Sequence, residues 1–373
     1  MRARWVVAVC VFWLGCATRD PAVGADGGGQ DQDAGDSGPE GTRIYIAQRE
    51  EIRYFDLDET RRELVQRGRV SIDTPVLTAA LSRDQKRLYV LGVDALQAFE
   101  LDPAAFTQSP LARLPLARGG VSDLWLDPSA QWIVLGHSPV GSFEPPPPEL
   151  EVLALREDGS FRGAPAIVAG SSAVDRLAAD PSGRYVFGLS CARDAIAQYA
   201  FEPASGMMRS NLPDPPGTPS HDLAFHPGRR WAYATQAQGV ELLRYVAATG
   251  RLEVVALGSY ESEVADGCEL SRLAVHPSGR FVFALTNERG GTVYTFSVSQ
   301  VDGRLTRVAR FQYERFRAAT SLAVARSGHF LIAGGGANVF HVFQLDERTG
   351  RLTFASDVRG TELGGIIVAA MPL

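Results

Sequence analysis

The sequence predicts an all-β fold: a seven-bladed β-propeller of four-stranded blades, its ring closed by a C-terminal strand in the N-terminal blade. Three observations predict it. The hairpin unit LAVHPSGRFVFAL at 273–285, two alternating apolar runs around a Pro-Ser-Gly turn, recurs along the chain. It returns as LWLDPSAQWIVL at 124–135, LAADPSGRYVFGL at 177–189, LAFHPGRRWAYA at 223–234 and LAVARSGHFLIA at 322–333, and more weakly as AALSRDQKRLYVL at 79–91. Taking Pro277 as anchor, the counterparts Arg83, Pro128, Pro181, Pro227 and Arg326 give spacings of 45, 53, 46, 50 and 49 residues, the period of a four-stranded propeller blade. The third observation is that the two ends of the chain read as two parts of one further blade.

Residues 1–16, MRARWVVAVCVFWLGC, hold two arginines, an apolar run and a terminal cysteine. That is the make-up of an export leader, too short to span a bilayer. Residues 17–42 are rich in Gly and Asp with almost nothing larger than valine to bury, so they read as a disordered acidic linker. The propeller domain is expected over 43–373.

Within it, RIYIA at 43–47 and IRYFDLD at 52–58 match the second and third strands of a blade that lacks its first. IIVAAMP at 366–372 has the register of LAVHP and supplies the missing strand, which removes two open sheet edges. Every later unit continues with a third alternating run, such as TVYTFSV at 292–298, then a turn written DGRL at 302–305 or TGRL at 249–252 and 349–352, then a fourth strand. Alternation lets each strand bury one face against the next blade, and Gly supplies the positive φ of a tight turn. FEPPPPEL at 143–150 lengthens blade 3; its prolines favour a stiff, extended loop that either shapes the mouth or docks an aromatic groove of a partner.

Composition excludes some functions. With a net charge of −6 and no basic stripe, nothing is offered to a phosphate backbone, so no nucleic-acid partner is expected. No metal-ligand spacing and no cofactor motif is present, and the acidic run YESEVADGCE at 260–269 reads as solvated loop. Past the leader, Cys191 and Cys268 fall on the same face of the ring; they form a disulfide in an oxidising compartment or stay as two thiols.

The residue five before each anchor should stand at the channel end of the innermost strand. Reading round, these are Thr78, Asp123, Arg176, Asp222, Arg272, Ser321 and Ile367, so four adjacent blades alternate acid and base. Two readings are open: a ring of ion pairs neutralising the strand ends, or a polar site for a small ligand, since loops bearing His137, His221, Gln236 and Arg289 converge on the same face. His226 and His276 precede their anchors on the opposite face and read as turn residues.

The stretches HPSGRFVFALTNERGGTVYTFSVSQVDGRL at 276–305 and SGHFLIAGGGANVFHVFQLDERTGRL at 327–352 resemble the seven-bladed lactonase propellers, a family that includes bacterial 6-phosphogluconolactonase. The resemblance covers 43–373 and implies an active site at one mouth of the channel, built from a histidine, a glutamate and arginines. Several positions depart from it. Where the family has histidines before the first strand of blade 4, this chain has Asp175 and Arg176; SCARDA keeps Asp194 but has Ala195 where arginine is expected. In blade 5, His221 and Asp222 stand for an Arg-His pair, and Gln236 for a glutamate. In blade 6, TNERGG retains Asn287 and Arg289, shifted by Glu288. The ending WLGC resembles a lipoprotein processing motif, with Cys16 as the lipidated residue and Trp13 where leucine is usual.

The expectation is therefore an exported propeller, anchored by lipid at the periplasmic or outer-membrane surface or else secreted. It is monomeric and free of cofactor, and binds a small polar molecule, a lactone or a cell-envelope protein at its mouth through Asp123, Asp222, Arg272, Gln236, Asn287, His137 and Asp194. The alternative is a lactone hydrolase, with Arg289 or Arg176 polarising the carbonyl and His221 or Glu288 handling water.

Overall fold

A computed structural model of the chain describes residues 41–372 apart from 103–106, 117–119, 139–149, 169–173, 191–195, 212–219, 229, 237–238, 260–271, 287–290, 313–318, 336–338 and 360–364. The predicted leader and residues 17–40 of the linker lie outside the described residues, as do Cys16, Cys191, Cys268, the proline run, Asp194, Asn287, Glu288 and Arg289.

The described residues form seven four-stranded antiparallel sheets and no helix. Six blades are sequential hairpins, for example β12 (Arg176–Ala179), β13 (Tyr185–Leu189), β14 (Ala197–Glu202) and β15 (Met207–Ser210) in blade 4. Blade 1 is composite. β28 (Gly365–Pro372) pairs antiparallel with β1 (Thr42–Gln48), which pairs in turn with β2 (Glu51–Asp58) and β3 (Glu63–Ser71). The anticipated ring closure is therefore present, with Thr42 beside Pro372 and Gln48 beside Gly365.

The core lies between blades. Phe187 and Leu189 of blade 4 pack on Ala232, Ala234, Leu243 and Tyr245 of blade 5, and Phe283 and Leu285 of blade 6 on Leu331, Ala333 and Phe343 of blade 7. Each blade buries both faces, which is why second strands such as Phe281–Thr286 are buried throughout. Fourth strands, such as Leu305–Gln312, alternate toward solvent.

The turns between third and fourth strands add a second tie. The Tyr185 hydroxyl donates to the Ala248 carbonyl at 3.0 Å, the Tyr233 hydroxyl to Gly303 at 3.2 Å, and the Trp132 indole N–H to Pro203 at 2.8 Å. Each of these reaches a turn of the following blade. Gly303, at φ +74, lies under the Trp231 ring, where a Cβ would come within 2.7 Å. On the same face, His226 and His276 are turn residues as read, and they do more. Their Nδ1 atoms accept backbone N–H groups of their own turns, so Nε2 carries the proton and donates to Gly279 and Gly328 of the following blades, at 3.0 Å each.

Candidate functional site

The first strands face the channel, and the predicted ring stands at their leading ends. Arg176 and Arg272 open β12 and β20 (Arg272–Val275), and Asp222 immediately precedes β16 (Leu223–Phe225). Thr78, Asp123, Arg176, Asp222, Arg272 and Ser321 are all buried, the two arginines to 1% exposure. The ion-pair reading is met in part, by a buried contact between Arg176 and Asp222.

The acids hold the ring together through the backbone. Asp222 Oδ2 accepts the N–H of Leu273 in blade 6 at 2.9 Å, and its Oδ1 accepts the N–H of Leu223 at 3.1 Å. Asp123 repeats the arrangement two blades earlier, Oδ2 accepting from Leu177 and Oδ1 from Leu124, each at 2.9 Å. In both cases the N–H belongs to the residue after the ring arginine. Arg176 Nη2 also lies 3.8 Å from Asp222 Oδ1.

His221 sits beside this cluster. Thr235 Oγ1, on β17 (Trp231–Gln236), accepts the backbone N–H groups of His221 at 3.0 Å and Asp222 at 2.9 Å, which fixes the segment before the strand. Burial lowers the imidazole to about 4, Arg272 and Arg176 push in the same direction, and Asp175 and Asp222 only partly oppose them. At neutral pH the ring is uncharged. Asp175 accepts hydroxyl hydrogen bonds from Ser138 of blade 3 and Ser190 of blade 4, so this acid also bridges two blades. It was visible in the sequence as the Asp-Arg dipeptide, but its serine partners were not.

Two further predicted residues occupy a neighbouring shell. His137 ends β9 (Trp132–His137) and Gln236 ends β17, the same position of two blades. Each faces a glutamate on its third strand: His137 Nε2 lies 3.5 Å from Glu151, and Gln236 Nε2 donates to Glu241 at 2.9 Å. Glu151 pairs with Leu135 and Glu241 with Ala234, so the two couples are equivalent in register. Burial raises the Glu241 carboxyl, and the Gln236 amide partly offsets this. Both glutamates escaped the sequence reading, because nothing in a strand's alternation marks one polar position as facing another across the sheet.

The structure therefore brings together His221, Arg176, Arg272 and Asp222 and adds Asp175. It sets His137 and Gln236 in separate couples with carboxylates. Two buried guanidinium groups and a neutral imidazole can polarise or hold an oxygen that carries negative charge, since Arg keeps its charge when desolvated. The imidazole is uncharged at pH 7 and, with its value lowered, is a weak base. Among the described residues no group of three or more His, Cys, Asp or Glu side chains could hold a metal ion.

Residues 41–366 match the family described as lactonase, 7-bladed beta-propeller. The 6-phosphogluconolactonase of Bacillus subtilis (strain 168) is 24% identical over 176 residues, 46% of this chain and 50% of that protein, so the match spans about half the length of this relative. Among solved structures, a putative 6-phosphogluconolactonase from Bacteroides uniformis ATCC 8492 aligns with a TM-score of 0.73 at 18% identity, covering 88% of this chain and 100% of that one. The periplasmic gluconolactonase of Pseudomonas aeruginosa aligns with a TM-score of 0.72 at 19% identity, covering 88% and 99%. These likenesses show the fold, and the match over most of the sequence shows the lineage: the chain belongs to the lactonase family of seven-bladed β-propellers.

Proposed function

We propose that the channel mouth at the leading ends of the first strands binds a small polar ligand carrying a carbonyl or acid oxygen. One observation carries this reading: Arg176 and Arg272, buried at equivalent positions of blades 4 and 6, flank His221 and Asp222 of blade 5. Charged groups are rarely buried without purpose. Backbone and hydroxyl donors orient the acids, so cationic and anionic groups stand side by side at this end of the strands. The departures at Ala195 and Gln236 support a binding role over the family's usual chemistry.

Lactone hydrolysis is the second reading, favoured by the presence of His221 and two arginines in one cluster. A guanidinium would stabilise the developing oxyanion and His221 would take a proton from water.

Export with a lipid on Cys16 is part of the same proposal. It is supported by the leader-like residues 1–16 and the acidic spacer after them, and it is consistent with the periplasmic address in the name of the Pseudomonas aeruginosa relative.

Incubating the purified protein with sugar and homoserine lactones, beside His221→Ala and Arg289→Ala, separates the readings. Turnover above the spontaneous rate that falls in both variants establishes a hydrolase. Saturable binding of a lactone or its acid without turnover establishes the binder. Neither binding nor turnover across the panel overturns both.

A further inference from the structure

We infer that the outer wall of blades 5 to 7 docks on an anionic lipid surface, its arginines meeting headgroup phosphates while the valines and Phe354 between them enter the interface. This does not depend on what the channel mouth binds. A lipid on Cys16 would hold the wall close to such a surface, but the inference stands without it.

The fold builds this surface from parts that lie far apart in the sequence. The fourth strands of the seven blades carry ten arginines, no lysine and three acids, in a chain whose acids outnumber its bases by 43 to 37. No basic run shows in the sequence, because each blade supplies only one or two of the arginines. Apolar side chains follow the same strands. Among the described residues eight large hydrophobics are exposed, and six of them, Ile167, Met207, Val254, Val255, Val308 and Phe354, stand on fourth strands.

The two sets are densest where β19 (Arg251–Ser259), β23 (Leu305–Gln312) and β27 (Arg351–Arg359) follow one another round the ring. These three strands hold five of the arginines, all exposed, against Glu253 and Asp357. They also hold four of the six apolar residues. Glu253 is shared between Arg244 and Arg251, and Arg310 lies over the Tyr294 ring, a contact that leaves its charge in place. The wall therefore keeps a net positive charge. Charge on an open strand edge also keeps it from pairing with another strand, but exposed valines and a phenylalanine work against that end, since they invite association. Arginine and apolar side chains together fit the boundary of an anionic bilayer, where guanidinium groups bind phosphates and the apolar groups leave water. A nucleic acid would engage the arginines and leave the valines unburied.

All the strands lie within 42–372, so a chain lacking residues 1–16 keeps the whole fold and carries neither a lipid nor the apolar leader. The test is co-sedimentation of this chain with vesicles of equal parts phosphatidylglycerol and phosphatidylcholine, and with vesicles of phosphatidylcholine alone, in low and in high salt. Two comparison proteins, checked for native circular dichroism, are the triple variant Arg310→Gln, Arg351→Gln, Arg359→Gln, which removes charge, and the double variant Val255→Ser, Val308→Ser, which removes apolar surface only. The expected result is binding to the anionic vesicles alone, lost in high salt and weakened roughly tenfold to a hundredfold by the three arginine changes. The two valine changes weaken it several-fold. Equal binding to both kinds of vesicle, no binding, or binding that either variant retains in full overturns the inference. Capture by double-stranded DNA or polyglutamate with none by the vesicles overturns it in favour of another polyanion. None of these outcomes bears on the mouth, which the lactone experiment reads separately.

Discussion

The carboxylate of Asp222 in blade 5 reaches across the blade interface to the backbone N–H of Leu273 in blade 6, at 2.9 Å. With its other oxygen on Leu223, a single side chain fixes the relative height of two channel strands, and Asp123 does the same for blades 3 and 4. The short strand β16 has only three residues, so this tie contributes much of what sets its position.

Asp222→Ala removes both acceptors and leaves two buried N–H groups unmet. The expected loss is about 2–3 kcal/mol of stability, read as a lower thermal midpoint. Asp222→Asn, which keeps one acceptor, should lose less, and Asp123→Ala should cost about as much as Asp222→Ala.

Gly303 sits at φ +74, where an added Cβ would come within 2.7 Å of the Trp231 ring. Gly303→Ala meets both a left-handed backbone and the ring face, and should cost about 2–4 kcal/mol in denaturant unfolding. A neutral effect would mean that the ring moves aside and that the tie between blades 5 and 6 is weak.

Ala130 holds φ +54 in the blade 3 turn, where the matching turns of blades 4 and 6 have Gly183 and Gly279. Ala130→Gly relieves the left-handed strain and should stabilise by about 0.5–1 kcal/mol. The reverse change at Gly183, whose added Cβ would crowd Pro128, should destabilise.

The pH dependence of stability follows from His221. The folded imidazole gains a proton only near pH 4, against an ordinary value of 6.5, so between those limits the unfolded chain binds more protons. Stability is therefore complete above about pH 6.5 and falls as the pH drops toward 4, by at most about 3 kcal/mol from this residue. His226 and His276, also pushed down by burial, add to the loss with the same sign. His221→Gln should flatten part of the slope in melting curves taken from pH 7.5 to 4.5.

The blades were readable because their strands repeat a local pattern that alternation and turn chemistry impose on each hairpin. Even the composite blade was visible, since RIYIA and IIVAAMP each kept the register of a strand without its neighbour. Counting from the anchors finds the ring of mouth residues, and part of its chemistry. Acid and base in alternation suggest pairing with each other, and Arg176 does lie 3.8 Å from Asp222, but the backbone amides that Asp123 and Asp222 reach one blade on leave no mark in the sequence. Sequence distance hid the rest. Asp175 and Ser138 are brought together only by the ring, and the couple of His137 with Glu151 depends on which residues of β9 and β10 (Leu150–Leu155) stand opposite each other.

The clasp of blade 1 has a mechanical side. Thr42 and Pro372 pair at the same end of the β1–β28 ladder, so a pull that separates the two ends of the domain opens this ladder one rung at a time, like a zipper. Heat must break the whole ladder together with the apolar contacts on both faces of blade 1, and meets a large barrier. Force applied at those two points meets a small one at each step. A domain held through the residues before Thr42 alone feels no such peeling. One gripped at both ends would unwind first at blade 1, while its other six blades still stood folded.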